Sequence, residues 1–224
     1  MLKELCGIQY LERKPNQITE KPKLMLLIHG YGSNEEDLFS FSEAFPDDFY
    51  VVSVRGIHNL SFGMYAWYEI NFLDAGKFNN IPQGLESRDK LVRFIDEFTA
   101  KENCDRDEVW VCGFSQGAIL SYSIALNFPN RVRHVAILSG YPEDEFIGSI
   151  DSEKDYSKLD FYISHGTADP VIPIEWARKG KPLLDGLNIK NEYREYHQGH
   201  GLNPQNYTDF MKWVKQSREI NQRK

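Results

Sequence analysis

The chain has 224 residues and a formal charge of −7, from 26 Lys and Arg against 33 Asp and Glu. That acidic balance argues against nucleic acid or an anionic membrane as a partner, because both call for clustered basic side chains. Its 41% hydrophobic residues suffice for a core, yet the longest unbroken apolar run, 24–28, is five residues, far below the roughly 18 of a membrane span.

Along the chain, short apolar runs rich in Val, Ile, Leu and Tyr alternate with longer segments of helical period. The first predicted strand is 5–11, followed by a strand at 24–29, a helix at 35–44 and a strand at 50–54. A helix at 85–101, a strand at 109–113, a helix at 118–128 and a strand at 132–138 come next. The series closes with a strand at 161–165, a helix at 174–184, a strand at 192–196 and a helix at 205–219. Runs 24–29, 109–113 and 132–138 are almost wholly apolar, as strands covered on both faces are. The alternation predicts one α/β domain over 1–224, a mostly parallel central sheet with helices on both faces and 5–11 as an antiparallel edge. Little length is left for a separate cap domain, and none is expected. Two stretches fit neither period and read as long loops: the aromatic, glycine-bearing 56–82 and the strongly acidic 141–158.

Cys6, Cys104 and Cys112 are odd in number and widely spaced, so neither a disulfide framework nor a cysteine zinc site is expected. The N-terminal stretch MLKELCGIQYLERK has no apolar leader core. A reducing cytoplasm fits both features.

Residues 109–113 run into Phe114, Ser115, Gln116 and Gly117, a G-x-S-x-G at a strand-to-helix junction. A serine at the apex of so tight a turn needs neighbours without side chains, since any bulk at 113 or 117 collides with the crossing backbone. The following helix directs its positive end at the hydroxyl. An ordinary β–α turn has similar composition, so the pattern acquires meaning only with a base and an acid in place.

Six histidines are candidates for the base. His134 falls inside a strand, His58 lies in the aromatic stretch without a nearby carboxylate, and His29 and His165 each end a strand in His-Gly. His197 and His200 follow the last strand, and His200, between Gly199 and Gly201, is the better placed to swing over a sheet edge. The acid should follow the preceding strand, where Asp169 is the one acidic residue of the turn after 161–165. The order Ser115, Asp169, His200 is that of an α/β-hydrolase triad, and all three fall just beyond C-terminal strand ends. Two backbone donors complete the set: the N–H of Gln116, next to the nucleophile, and that of Tyr31, in the glycine-bearing turn after 24–29.

These residues resemble the phospholipase/carboxylesterase family of α/β hydrolases, the group that includes acyl-protein thioesterases. The strand end HG.G.N..D is matched by His29, Gly30, Gly32, Asn34 and Asp37, and the elbow GFSQGA by 113–118. Ala66-Trp67-Tyr68-Glu69, Leu138-Ser139-Gly140-Tyr141, the His165-Gly166-Asp169-Ile172-Pro173 block and Gly199-His200-Gly201 complete the likeness. The resemblance implies an α/β-hydrolase fold, a Ser115–Asp169–His200 triad, an oxyanion hole at Tyr31 and Gln116, and no cofactor. It departs at Tyr31, where the family often has Gly-Leu, and in the acidic 141–158 stretch, which would disfavour anionic substrates if it overhung the site.

The expected reaction is therefore two-step acyl transfer on a small-molecule ester or thioester, by a monomer or homodimer. Tyr65, Trp67, Tyr68, Phe72 and Phe78 are expected to line an acyl pocket, unless they belong to the core. A lysophospholipase, an acyl-protein thioesterase or a serine peptidase would use the same scaffold, and a non-catalytic binding protein would need no triad.

Overall fold

The computed structural model describes residues 1–17, 19–71 and 79–222. It opens on a hairpin of β1 (Lys3–Leu5) and β2 (Ile8–Arg13), turned by Cys6 and Gly7 at φ 42° and 78°. Those left-handed residues break the predicted single strand at 5–11 into two. β3 (Lys23–Ile28) leads to the one-turn α1 (Glu36–Phe39), a 3-10 turn at Ser42–Ala44 and β4 (Phe49–Val54). The expected helix at 35–44 is thus two short pieces. A second hairpin, β5 (His58–Ser61) and β6 (Met64–Ala66), occupies part of the stretch expected as loop.

Helix α2 (Ile81–Lys101) starts earlier than its apolar period because Asn80 caps it, accepting the Gln83 N–H, and Pro82 sits in its first turn. Leu91, Phe94, Ile95 and Phe98 form its buried stripe. Then follow β7 (Val109–Phe114), α3 (Gln116–Asn127), β8 (His134–Leu138) and α4 (Asp144–Ile147). Every residue of α3 from Gln116 to Leu126 is buried, so this helix has no solvent face. The chain closes with β9 (Asp160–Gly166), α5 (Ile174–Ala177), α6 (Gly180–Gly186), β10 (Lys190–Tyr196) and α7 (Pro204–Gln222). The helix expected at 174–184 divides in two, and the second piece begins at Gly180, where a Cβ would lie 2.2 Å from the Tyr122 hydroxyl.

Eight strands form one sheet in the order β1-β2-β4-β3-β7-β8-β9-β10. β1 pairs antiparallel with β2 and β2 with β4; every other pairing is parallel. Alternation along the central strands sorts the core into two layers. Leu24, Leu26, Ile28, Val109 and Val111 face α2 and α3, whereas Met25, Leu27, Trp110, Cys112 and Tyr162 face α1 and α7. The acidic stretch 141–158 is not a plain solvated loop, because Tyr141, Phe146, Ile147 and Tyr156 are buried and anchor it. Among the described residues no separate cap is evident, and no helix is long and apolar enough to cross a membrane.

Candidate active site

Ser115 joins β7 to α3 with φ 52° and ψ −115°, a left-handed conformation that a side-chain-bearing residue adopts only under constraint. The constraint is visible at its glycine neighbours. A Cβ on Gly117 would lie 2.0 Å from the Ile28 carbonyl oxygen, and one on Gly113 would lie 2.3 Å from that of Gly117. The elbow is therefore wedged against the end of β3, and Ser115 is aimed out beyond the parallel strand ends.

His200 and Asp169 meet it there. The Ser115 hydroxyl stands 2.9 Å from His200 Nε2, and His200 Nδ1 stands 2.7 Å from Asp169 Oδ2. The Asp169 side chain is wholly buried, and its Oδ1 accepts the backbone N–H groups of Val171 (2.8 Å) and Ile172 (3.0 Å). A carboxylate so held accepts from His200 and donates nothing itself. The two loops touch directly: Ala168 N–H donates to Gln198 O at 3.1 Å, and a Cβ on Gly166 would lie 2.3 Å from Gly199 O. The Gln198 carboxamide folds the histidine loop by donating to Gly201 O and accepting the Asn203 N–H. The Phe114 ring packs against the His200 imidazole at 5.0 Å.

The turn after β3 passes beside Ser115, since a Cβ on Gly30 would stand 3.2 Å from Ser115 Cβ. Gly32, at φ 75°, donates its N–H to Tyr65 O (2.9 Å), and Tyr65 N–H donates to Ser33 O (2.8 Å). Arg55 stacks over the Tyr65 ring at 4.5 Å and forms a two-pronged ion pair with Glu35, at the start of α1. Burial opposes ionisation of Glu35, but the Arg55 guanidinium outweighs it and holds the carboxyl below its ordinary range.

Trp67 and Tyr68 are wholly buried, which gives them packing roles in place of the expected pocket lining. Trp67 Nε1–H donates to His29 O at 3.0 Å, and the main chain of both residues is bonded to the Gln116 side chain. Tyr65 is half-buried and held by Arg55. Phe72 and Phe78 lie outside the described residues. The space beside Tyr31 is a groove of about 890 Å³ that the next residues line, Glu69, Ile70 and Asn71, with Leu60, Asn79 and Glu145. The acidic stretch thus does reach the rim, through Glu145.

The remaining histidines have other duties. His29 donates from Nδ1 to Gly30 O and accepts the Gly56 N–H at Nε2, the bonding of a neutral ring. His165 donates to Ile172 O and lies 3.4 Å from Asp169 Oδ2. His134 is stacked 3.8 Å from Trp110 deep in the sheet, and His197 is exposed. Arg55, Glu35 and the Gln116 carboxamide escape a search for motifs. The one sequence signal is an arginine directly after the apolar strand β4. Among the described residues no group of three or more His, Cys, Asp or Glu is placed to hold a metal ion.

A parallel sheet with an antiparallel β2, and a serine elbow, an acid and a histidine on three loops at one strand end, define an α/β hydrolase. The phospholipase/carboxylesterase family profile matches residues 15–218, and the chain belongs to that family. It is 27% identical over 168 residues to a probable carboxylesterase of Oryza sativa subsp. japonica, covering 72% of this chain and 61% of that protein. An acyl-protein thioesterase 1 of Eremothecium gossypii is 29% identical over 136 residues, 59% of this chain and 57% of its own length. The matches therefore span less than two thirds of either relative. The solved structure of a Bacillus cereus carboxylesterase shares the fold with a TM-score of 0.80 at 23% identity, covering 93% of this chain and 94% of that one.

Proposed function

We propose that this chain is a serine hydrolase that cleaves carboxylic esters or thioesters through an acyl-enzyme intermediate. The observation that carries the reading is the hydrogen-bonded run from Ser115 through His200 to a buried Asp169, mounted on a strained elbow. Relatives named carboxylesterase and acyl-protein thioesterase support the same class.

In the first step His200 Nε2 takes the Ser115 proton as Oγ bonds to the substrate carbonyl carbon. The carbonyl oxygen becomes an oxyanion, for which the Tyr31 and Gln116 N–H groups are the donors. Gln116 is the first residue of α3, where an N–H has no partner within its own helix. Asp169 keeps the imidazole in the Nδ1–H tautomer and stabilises the imidazolium. His200 then protonates the departing alcohol or thiol as the carbonyl reforms. Water, deprotonated by the same nitrogen, attacks the acyl-serine and releases the acid.

The groove beside Tyr31 receives part of the substrate. With Glu69, Asn71, Asn79 and Glu145 among its lining, it favours polar, neutral esters over strongly anionic ones such as acidic phospholipids. One domain over 1–224, working in the cytoplasm without a cofactor as a monomer or homodimer, is the setting this reading implies. Three free cysteines, two of them buried, suit that compartment. Turnover of short p-nitrophenyl esters tests the assignment. Ser115→Ala and His200→Ala should abolish it, and His197→Ala should retain it; the reverse pattern for the two histidines would overturn the choice of base.

A further inference from the structure

Triad geometry does not explain why Gln116, whose proposed role uses only its backbone, buries its side chain as well. Its residue is 2% exposed, and its carboxamide makes two bonds of 2.7 Å: Oε1 accepts the Trp67 N–H, and Nε2 donates to Tyr68 O. The amide thus pairs with main chain as a neighbouring strand would. The same short segment grips the other proposed donor loop. Tyr65 exchanges backbone bonds with Gly32 and Ser33, on either side of which Tyr31 and the start of α1 hang, and the Trp67 indole N–H donates to His29 O.

We propose that residues 64–68 form a clasp that sets both oxyanion donors at once, with the Gln116 carboxamide as its positioning group. Donors act only where they meet the developing oxyanion, and placement within about 0.5 Å decides their effect. Tyr31 and Gln116 come from different loops, after β3 and after β7, which pack against each other at Gly117 and Gly30. The clasp adds hydrogen bonds to both. Arg55, stacked on Tyr65 and paired with Glu35, braces its far side. The aromatic segment thereby has a task in acyl transfer without touching substrate. The proposal rests on the hydrolase reading above.

Three variants test it on p-nitrophenyl butyrate, with a short-chain trifluoromethyl ketone as the probe that forms an oxyanion on binding. Gln116→Met keeps length and apolar bulk but loses both bonds. Its kcat per titrated site should fall by about 10–100-fold with KM held within about twofold, short of the loss of a whole donor. Affinity for the trifluoromethyl ketone should fall in parallel. Trp67→Phe, which removes the indole bond to His29 O and some buried ring packing but keeps the main-chain bond to Gln116, should show the same split at smaller amplitude. Gln116→Glu carries the signature that a merely structural side chain lacks. Its neutral carboxyl preserves both bonds, whereas the carboxylate turns an oxygen on Tyr68 O, so kcat should show a new loss on the alkaline side that is absent from the parent. Wild-type kcat in folded Gln116→Met overturns the proposal. If that variant is not recovered folded, an unaltered pH profile in Gln116→Glu overturns it instead. Absence of ester turnover in the parent chain would defeat the hydrolase reading and the clasp with it.

Discussion

Three buried histidines make the fold sensitive to mild acid. His29 and His165 are 0% exposed and His134 is 3% exposed, and burial pushes all three imidazoles below the ordinary histidine range. In the unfolded chain each titrates near pH 6.5, so below that pH the unfolded state binds protons that the folded state refuses. The sign follows directly: stability is full above about pH 7 and declines as the pH falls through 6.5 towards the lower folded values. For a ring that stays neutral in the fold, going from about pH 7.5 to about 5.5 costs about 1.4 kcal/mol, and three rings cost at most about 4 kcal/mol. A domain has only about 5–15 kcal/mol to lose. The depressed carboxylates do not contribute within that window. Burial opposes ionisation of Glu35, Asp48 and Asp160, but bonds from Arg55, from Lys23 and Arg218, and from His134 and Lys190 outweigh it, and their stabilisation is lost only in stronger acid. Urea unfolding followed by tryptophan fluorescence measures the effect, with Trp110 stacked on His134 and Trp67 near His29 as internal reporters. His134→Gln should reduce the pH-dependent loss by about 1.4 kcal/mol. Stability that stays level or rises between about pH 7.5 and 5.5 would refute this account of the buried rings.

Two other substitutions probe the frame around the site. Gly117→Ala places a Cβ against the end of β3 at 2.0 Å from Ile28 O, so both the elbow and the Tyr31 turn must shift. Ester turnover should drop by at least about 100-fold, and a variant that melts and turns over as the parent does would show the elbow to be slack. Arg55→Met removes the partner of a Glu35 side chain that is 4% exposed, a loss expected to cost about 3 kcal/mol. Adding Glu35→Gln should recover part of that, which a double-mutant cycle in urea would read; strict additivity would mean that the pair is not coupled.

Much of the site was legible because chain order, glycine placement and strand ends are local properties. Ser115 between Gly113 and Gly117, Asp169 in the turn after β9 and His200 between two glycines could each be placed from flanking periodicity, and the fold brings them within hydrogen-bond reach. The central strands were equally legible, since burial on both faces leaves runs such as 24–28 without polar interruption. What escaped was set by tertiary contact. Nothing local distinguishes a Trp67 that packs under an active site from one that lines it. The hairpin β5–β6 docks on the turn after β3 through a bridge from Tyr65 to Ser33, a contact that no local pattern announces. Helix breaks at 40–41 and 178–179 arise where the chain must turn over the sheet, and the apolar period runs on through both. The 141–158 stretch looked solvated by charge count, yet four buried hydrophobic residues tie it down and bring Glu145 to the groove.

The central claim is that Ser115 is a nucleophile activated by His200. Reaction with a fluorophosphonate probe, followed by peptide mass spectrometry, tests it most directly. A single adduct on Ser115, abolished in Ser115→Ala and strongly slowed in His200→Ala, is the expected result. An unlabelled Ser115, or an adduct on another serine that forms equally fast without His200, would contradict it.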